Sequence, residues 1–253
     1  MARPKSQTLF HFTRKLDYLK GILKDGFHPR FCLEDLDWLS KNESYAYPMV
    51  CFCDIPLGRV EQHVQQYGNY GIGMSRAWAV RNKLNPVIYV SKDSALSSSL
   101  DGLLDCLPQA SDEEKDKAGN KIHRYFFDVI RNIKPLTGKM LVNDTLTDGI
   151  DFYQESEWRY LALHDDVPYS LNAEEWEDKK NLDDAHAATR EHCMLNFNAD
   201  DVRYLFFERD ADIPELVDFI RSSASGLGKR FTGDEMKILE TRIVSQESLA
   251  QDL

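Results

Sequence analysis

Thr8-Leu9-Phe10-His11-Phe12-Thr13 alternates along its length and is rich in β-formers, so it reads as a strand. A helix over 16–24 follows, with Leu16, Leu19, Ile22 and Leu23 at helical spacing and Asp25-Gly26 closing it through a left-handed glycine cap. Neither a P-loop nor a Gly-x-Gly-x-x-Gly run follows this strand or any later one. That argues against a doubly wound nucleotide-binding sheet and for a mixed α+β fold.

Working outward, strands are predicted at 49–53, 68–74, 87–90, 136–142, 157–163, 193–197 and 202–207. Residues 31–47, acidic and aromatic, read as an irregular lid-like loop with a short helix. Helices are expected over 59–67, from Ser75 as N-cap through Arg81, and over 213–221, with Asn85-Pro86 as a stop. Two amphipathic helices over 91–131, interrupted near Pro108 and capped at 111–114, read as a helical insertion. The charged stretch 172–191 reads as a solvated helix or connector. The chain is expected to form one domain over 1–221, followed by a flexible linker at 222–228 and a final helix starting at Thr232.

With 253 residues, 42% of them hydrophobic, the chain can bury a substantial core. No apolar run reaches the ~20 residues of a spanning helix, and no apolar segment follows the basic start, so a cytoplasmic protein is expected. The five cysteines are an odd count set in or beside apolar segments, which fits reduced thiols. Cys51-Phe52-Cys53 spaces its thiols too closely for a zinc knuckle, and His63, His123, His164, His186 and His192 form no ligand pattern; no metal is expected. The net charge of -11 lacks the basic footprint of stable nucleic-acid binding, and leaves room for a basic protein partner.

Three groups of residues could carry chemistry. His11 and Thr13 share one face of a strand and could bind one ligand together; alternatively, His11 is a core histidine satisfied by a backbone carbonyl. In Tyr67-Gly68-Asn69-Tyr70-Gly71-Ile72-Gly73-Met74-Ser75, tyrosines could stack on a flat ring while the glycines admit a ligand or a neighbouring chain segment; alternatively, this is a hairpin or β-bulge with its tyrosines packed on the core. In Glu155-Ser156-Glu157-Trp158-Arg159, two close carboxylates would drive their pKa values apart, and an ionised one can stabilise an oxocarbenium-like sugar. The competing reading is a strand start with solvated acids and a locally paired Arg159.

The opening Leu9-Phe10-His11-Phe12-Thr13 with Gly26-Phe27 resembles DarT-like ADP-ribosyltransferases. The run Pro48-Met49-Val50-Cys51-Phe52-Cys53-Asp54-Ile55-Pro56-Leu57, Tyr70-Gly71-Ile72-Gly73-Met74 and Glu155-Ser156-Glu157-Trp158-Arg159 resemble the AbiGi-type abortive-infection family. The resemblance implies a two-sheet transferase-like core holding NAD as substrate in a cleft. It implies that His11 and Thr13 bind the adenosine-ribose side, that Tyr70 (or Tyr67 in its place) lies beside the nicotinamide, that Glu157 stabilises the cation, and that Glu155 positions the nucleophile. The expected function is then a toxin-like effector of phage defence, modifying RNA or DNA in preference to protein, or an NAD glycohydrolase if water attacks. The alternative is a catalytically silent antitoxin or other defence partner.

Overall fold

The computed structural model describes residues 6–39, 44–60, 64, 67–107, 117–142 and 145–250. Part of the helix expected over 59–67, His63, and the capping turn at 111–114 lie outside them. The architecture is α+β. A nine-stranded sheet runs in the order β13 (Ile243–Ser245), β12 (Val202–Phe207), β4 (Tyr70–Ser75), β1 (Thr8–Thr13), β3 (Ser44–Cys53), β10 (Glu157–Leu161), β5 (Asn85–Pro86). The long β3 also pairs with β2 (Arg30–Asp35) on the edge it shares with β1, and with β11 (Leu171–Asn172) on the edge it shares with β10. Every pairing within this sheet is antiparallel except β12 with β13. Two small sheets join β6 (Ile88–Val90) to β7 (Ile133–Pro135) and β8 (Thr137–Val142) to β9 (Thr145–Asp151).

Among the described residues, one nine-stranded sheet with two small sheets beside it stands where a two-sheet core was expected. β1 is in register with β4 over its whole length, from Thr8↔Ser75 to Thr13↔Tyr70. Against β3 it keeps one register pair, Phe10↔Cys53. Side-chain alternation then sorts the two faces. Leu9, Phe52, Ile72, Met74 and Leu205 pack beneath α1 (Leu16–Asp25) with Trp78, Leu216 and Leu239, whereas Phe10, Ile55, Val60, Val64 and Phe206 form a separate cluster. Each such aliphatic or aromatic side chain, fully buried, contributes roughly 1.5–3 kcal/mol.

Ser75 caps α2 (Arg76–Arg81) as expected, its hydroxyl accepting from the Trp78 amide. Gly26 takes a positive φ of 91° at the end of α1, but its ψ of -178° lies outside the left-handed helical region. The predicted insertion comprises α3 (Ala95–Asp105) and α4 (Lys117–Ile130), which share a small core with Trp38, Leu39 and Val90. Where a lid-like loop was expected over 31–47, the described residues form the β2–β3 pair, with a 3-10 turn at Asp37–Leu39 in the place of the expected short helix; residues 40–43 lie outside them. Phe31 and Ala46 are buried on one face and Tyr47 on the other, and local acidity does not prevent pairing when both faces of the long strand are covered. The charged stretch forms α5 (Ala173–Glu177) and α6 (Lys179–His192), the latter burying Ala185 and Thr189. At 193–197 only an isolated bridge, Leu195 to Phe27, replaces the expected strand.

The expected linker at 222–228 is a pair of 3-10 turns in which Leu227 is fully buried. After α7 (Ile213–Arg221), Leu227, Phe231 and Leu239 of α8 (Gly233–Glu240) join the main core, and β13 extends the sheet ahead of the short α9 (Gln246–Leu249). Among the described residues, no helix is long and apolar enough to cross a membrane.

Candidate functional site

The Glu pair is assembled by a local turn. Asp151 caps a 3-10 turn, Phe152–Glu155, by accepting from the Tyr153 amide. Ser156 then adopts a left-handed conformation (φ 45°, ψ 52°), and its carbonyl accepts from the Asp54 amide at 3.1 Å. The strand begins at Glu157, as expected, so Glu155 lies in the turn before it, yet both carboxylates reach the same cation. Lys134 Nζ lies 3.1 Å from Glu155 Oε2 and 3.0 Å from Glu157 Oε2, and the same ammonium stands 4.1 Å from the centroid of the Phe152 ring.

From there a chain of charges runs inward. Arg159 Nε donates to Glu157 Oε1 at 2.7 Å, its Nη2 donates to Glu34 Oε2 at 2.9 Å, and its Nη1 donates to the Arg131 carbonyl at 2.9 Å. Tyr67 donates its hydroxyl to Glu155 Oε1, and the Tyr89 hydroxyl accepts from the Glu157 amide at 2.8 Å. Glu155 and Glu157 are 5% and 4% exposed, and Arg159 is 1% exposed. This burial excludes the reading of solvated acids at a strand start.

The electrostatics separate the two acids. Burial by itself would raise the Glu157 carboxyl, but Arg159 and then Lys134 outweigh it and hold the group well below the usual carboxylate range. Burial raises the Glu155 carboxyl, with Lys134 opposing and the Glu157 charge adding to the rise. Lys134 is raised because the two carboxylates overcome its desolvation. Burial pushes the Cys51 and Cys53 thiols well up and Cys32 to about 12, so these groups are protonated neighbours of the ion pairs.

The other predicted residues lie elsewhere. His11 Nδ1 donates to the Cys51 carbonyl at 2.8 Å where β1 and β3 diverge, and the ring sits between Phe27 and Phe52. Burial lowers its pKa. This is the arrangement of a core histidine satisfied by a backbone carbonyl. Thr13 Oγ1 donates to the Lys15 carbonyl. Tyr70 opposes Thr13 in register, packs on Phe207 and donates to Asp212 at 3.3 Å. His11, Thr13 and Tyr70 thus share the face that carries α1, while Tyr67, not Tyr70, meets the Glu pair. The glycines admit chain, not ligand: a Cβ on Gly71 would meet the Phe12 ring at 2.9 Å, and one on Gly73 would meet Thr8 Cγ2 at 2.8 Å. Two surface clefts, of about 460 and 450 Å³, open beside residues 162–171, and none of the six predicted residues lines either.

A family model described as "Putative abortive phage resistance protein AbiGi, antitoxin" matches residues 25–208. The chain belongs to the AbiGi family. A relative from Lactococcus lactis subsp. cremoris, "Abortive phage resistance protein AbiGi", is 27% identical over 248 residues, covering 89% of this chain and 99% of the relative. No solved structure matches.

The AbiGi match spans the whole ion-pair chain, from Glu34 to Arg159. Sequence reading named Arg159 with the Glu pair but missed Lys134, Glu34 and the Tyr89 hydroxyl beside them. Lys134 lies between Ile133 and Pro135, and alternation on a strand would turn a lysine so placed away from the face that Ile133 buries, so its burial beside two acids carries no sequence signal. Arg159 alternates with Trp158 and Tyr160 and so shares the inward face of Glu157; Tyr89 carries no comparable signal. His164 and His192, which show no ligand pattern along the sequence, meet beside Asp166 in the fold.

Proposed function

We propose that this AbiGi-family chain serves phage resistance as a non-catalytic binding partner, an antitoxin-like protein whose acidic surface engages a basic protein. The burial and full pairing of Glu157 carry this reading. A carboxylate that stabilises a sugar cation must approach it at contact distance, in a site shaped to receive it. Here Arg159 and Lys134 occupy its two oxygens. The net charge of -11 and the antitoxin description of the family support the same role.

The test is induced expression of the chain alone in phage-free cells, with the purified protein incubated alongside labelled NAD and cell extract. Unchanged growth and unconsumed NAD are expected. Growth arrest, or label carried into protein, RNA or DNA, overturns the reading.

One observation favours a second reading, a transferase or glycohydrolase acting on NAD. Tyr67, Glu155 and Glu157 converge, with one acid held ionised and the other raised. In that case Lys134 must release the pair for NAD to enter. Turnover would then be lost in Glu157→Gln, with the fold checked by circular dichroism.

A further inference from the structure

His164 follows β10 in a loop that continues through Asp166, and His192 is the last residue of α6. The fold brings them together: their donor atoms and an Asp166 carboxylate oxygen all lie within 4.8 Å of one another. The two imidazole rings stack with centroids 4.3 Å apart and planes 4° from parallel. The Asp166 amide donates to His164 Nδ1 at 3.2 Å, and Asp166 Oδ2 stands 3.5 Å from the same nitrogen. Glu191 Oε2 lies 3.9 Å from His192 Nε2.

We propose that His164, Asp166 and His192 form a binding site for a divalent transition-metal ion of the zinc class. Two imidazoles and a carboxylate suit zinc, nickel or copper, whereas calcium and magnesium call for oxygen donors throughout. All three side chains are exposed, so an ion enters without unfolding the chain. Parallel rings cannot both aim their lone pairs at one ion. Binding therefore turns the imidazoles out of their stack, to zinc–nitrogen distances of about 2.0–2.1 Å. Three protein donors leave a coordination position open. The cleft of about 460 Å³ that His164 and Asp166 line, with Arg124 and Tyr169, lies next to it. A bound ion ties the loop after β10 to the end of α6.

The test uses the full chain, stripped with chelator and titrated with zinc by calorimetry and with cobalt by absorption. One ion per chain is expected, without a thiolate charge-transfer band. His164→Ala and His192→Ala should each lower affinity at least tenfold, and the double variant should abolish binding. Zinc should raise the urea midpoint of the parent chain and leave that of the double variant unmoved. Cys106→Ser, which removes the exposed thiol, should bind as the parent does. Absence of binding at micromolar zinc, unchanged affinity in the double variant, or a cobalt band lost in Cys106→Ser overturns the assignment.

Discussion

Lys134 and Glu157, 23 residues apart in the chain, meet at 3.0 Å, and the same ammonium holds Glu155 at 3.1 Å. One lysine thus keeps two buried carboxylates from facing each other uncompensated. Removing one partner of a buried ion pair costs about 3–5 kcal/mol, because the remaining charge stays desolvated. Lys134→Met should destabilise the protein by about that amount in urea unfolding, and Glu155→Gln in the same background should restore part of it. A Lys134→Met midpoint equal to the parent's would show that the bridge is not formed.

His186 predicts a pH dependence. Burial, then the nearby Arg30 and His28 charges, push its pKa down to about 4, and burial also lowers His11 and His28. The unfolded chain takes up these protons first, near the ordinary value of about 6.5. Stability is therefore complete above about pH 6.5 and declines as pH falls toward 4. Nuclear magnetic resonance titration should find His186 neutral at pH 5, and His186→Gln should make the stability profile shallower between pH 7 and 5.

The low Glu157 pKa acts at still lower pH. A depressed carboxylate stabilises the fold above its unfolded pKa of about 4.3, and that contribution is lost as pH falls toward the folded value. Glu157→Gln should flatten the acid limb of the unfolding curve below about pH 4 relative to the parent.

Gly71 and Gly73 test the packing of β1 against β4. Alanine at either position must displace the Phe12 ring or Thr8, which are already in close contact, at about 1–3 kcal/mol. Gly68→Ala should be worse, since φ is 129° there and the added carbon would lie 2.3 Å from the Thr13 carbonyl oxygen, which is backbone and cannot rotate away. Thermal unfolding of the three variants should rank them in that order.

A chain ending at Arg221 should fail to fold. It lacks Leu227, Phe231 and Leu239 of the main core and the β13 neighbour of β12. Limited proteolysis should degrade it wholly, where the full chain resists.

Much of this fold can be read from local pattern. β1, α1, β4, β12 and α7 carry strong alternation or helical spacing, and Ser75 and Thr232 are recognisable caps. β2 and β9 are hidden because their Asp, Glu and Gly residues are poor strand signals, and tertiary pairing decides them. In the candidate site, Glu155 and Glu157 are legible as a pair. Whether Tyr67 or Tyr70 joins them depends on which face of the sheet each reaches, and Lys134 arrives from a separate strand. His164 and His192 are brought together only by the turn of a whole helix, which no spacing rule reveals.

The single register pair between β1 and β3 makes the sheet a pair of panels with a sparsely stitched seam. On one side β1, β4, β12 and β13 are laced together; on the other, β3 is laced to β2, β10 and β11. The His11 imidazole acts as a peg across the gap, supplying through its Nδ1 a rung that the backbone does not make. Amide protection should accordingly be weakest along this line, and a His11→Phe chain, which keeps the ring but loses the peg, should exchange faster at the seam while both panels remain closed.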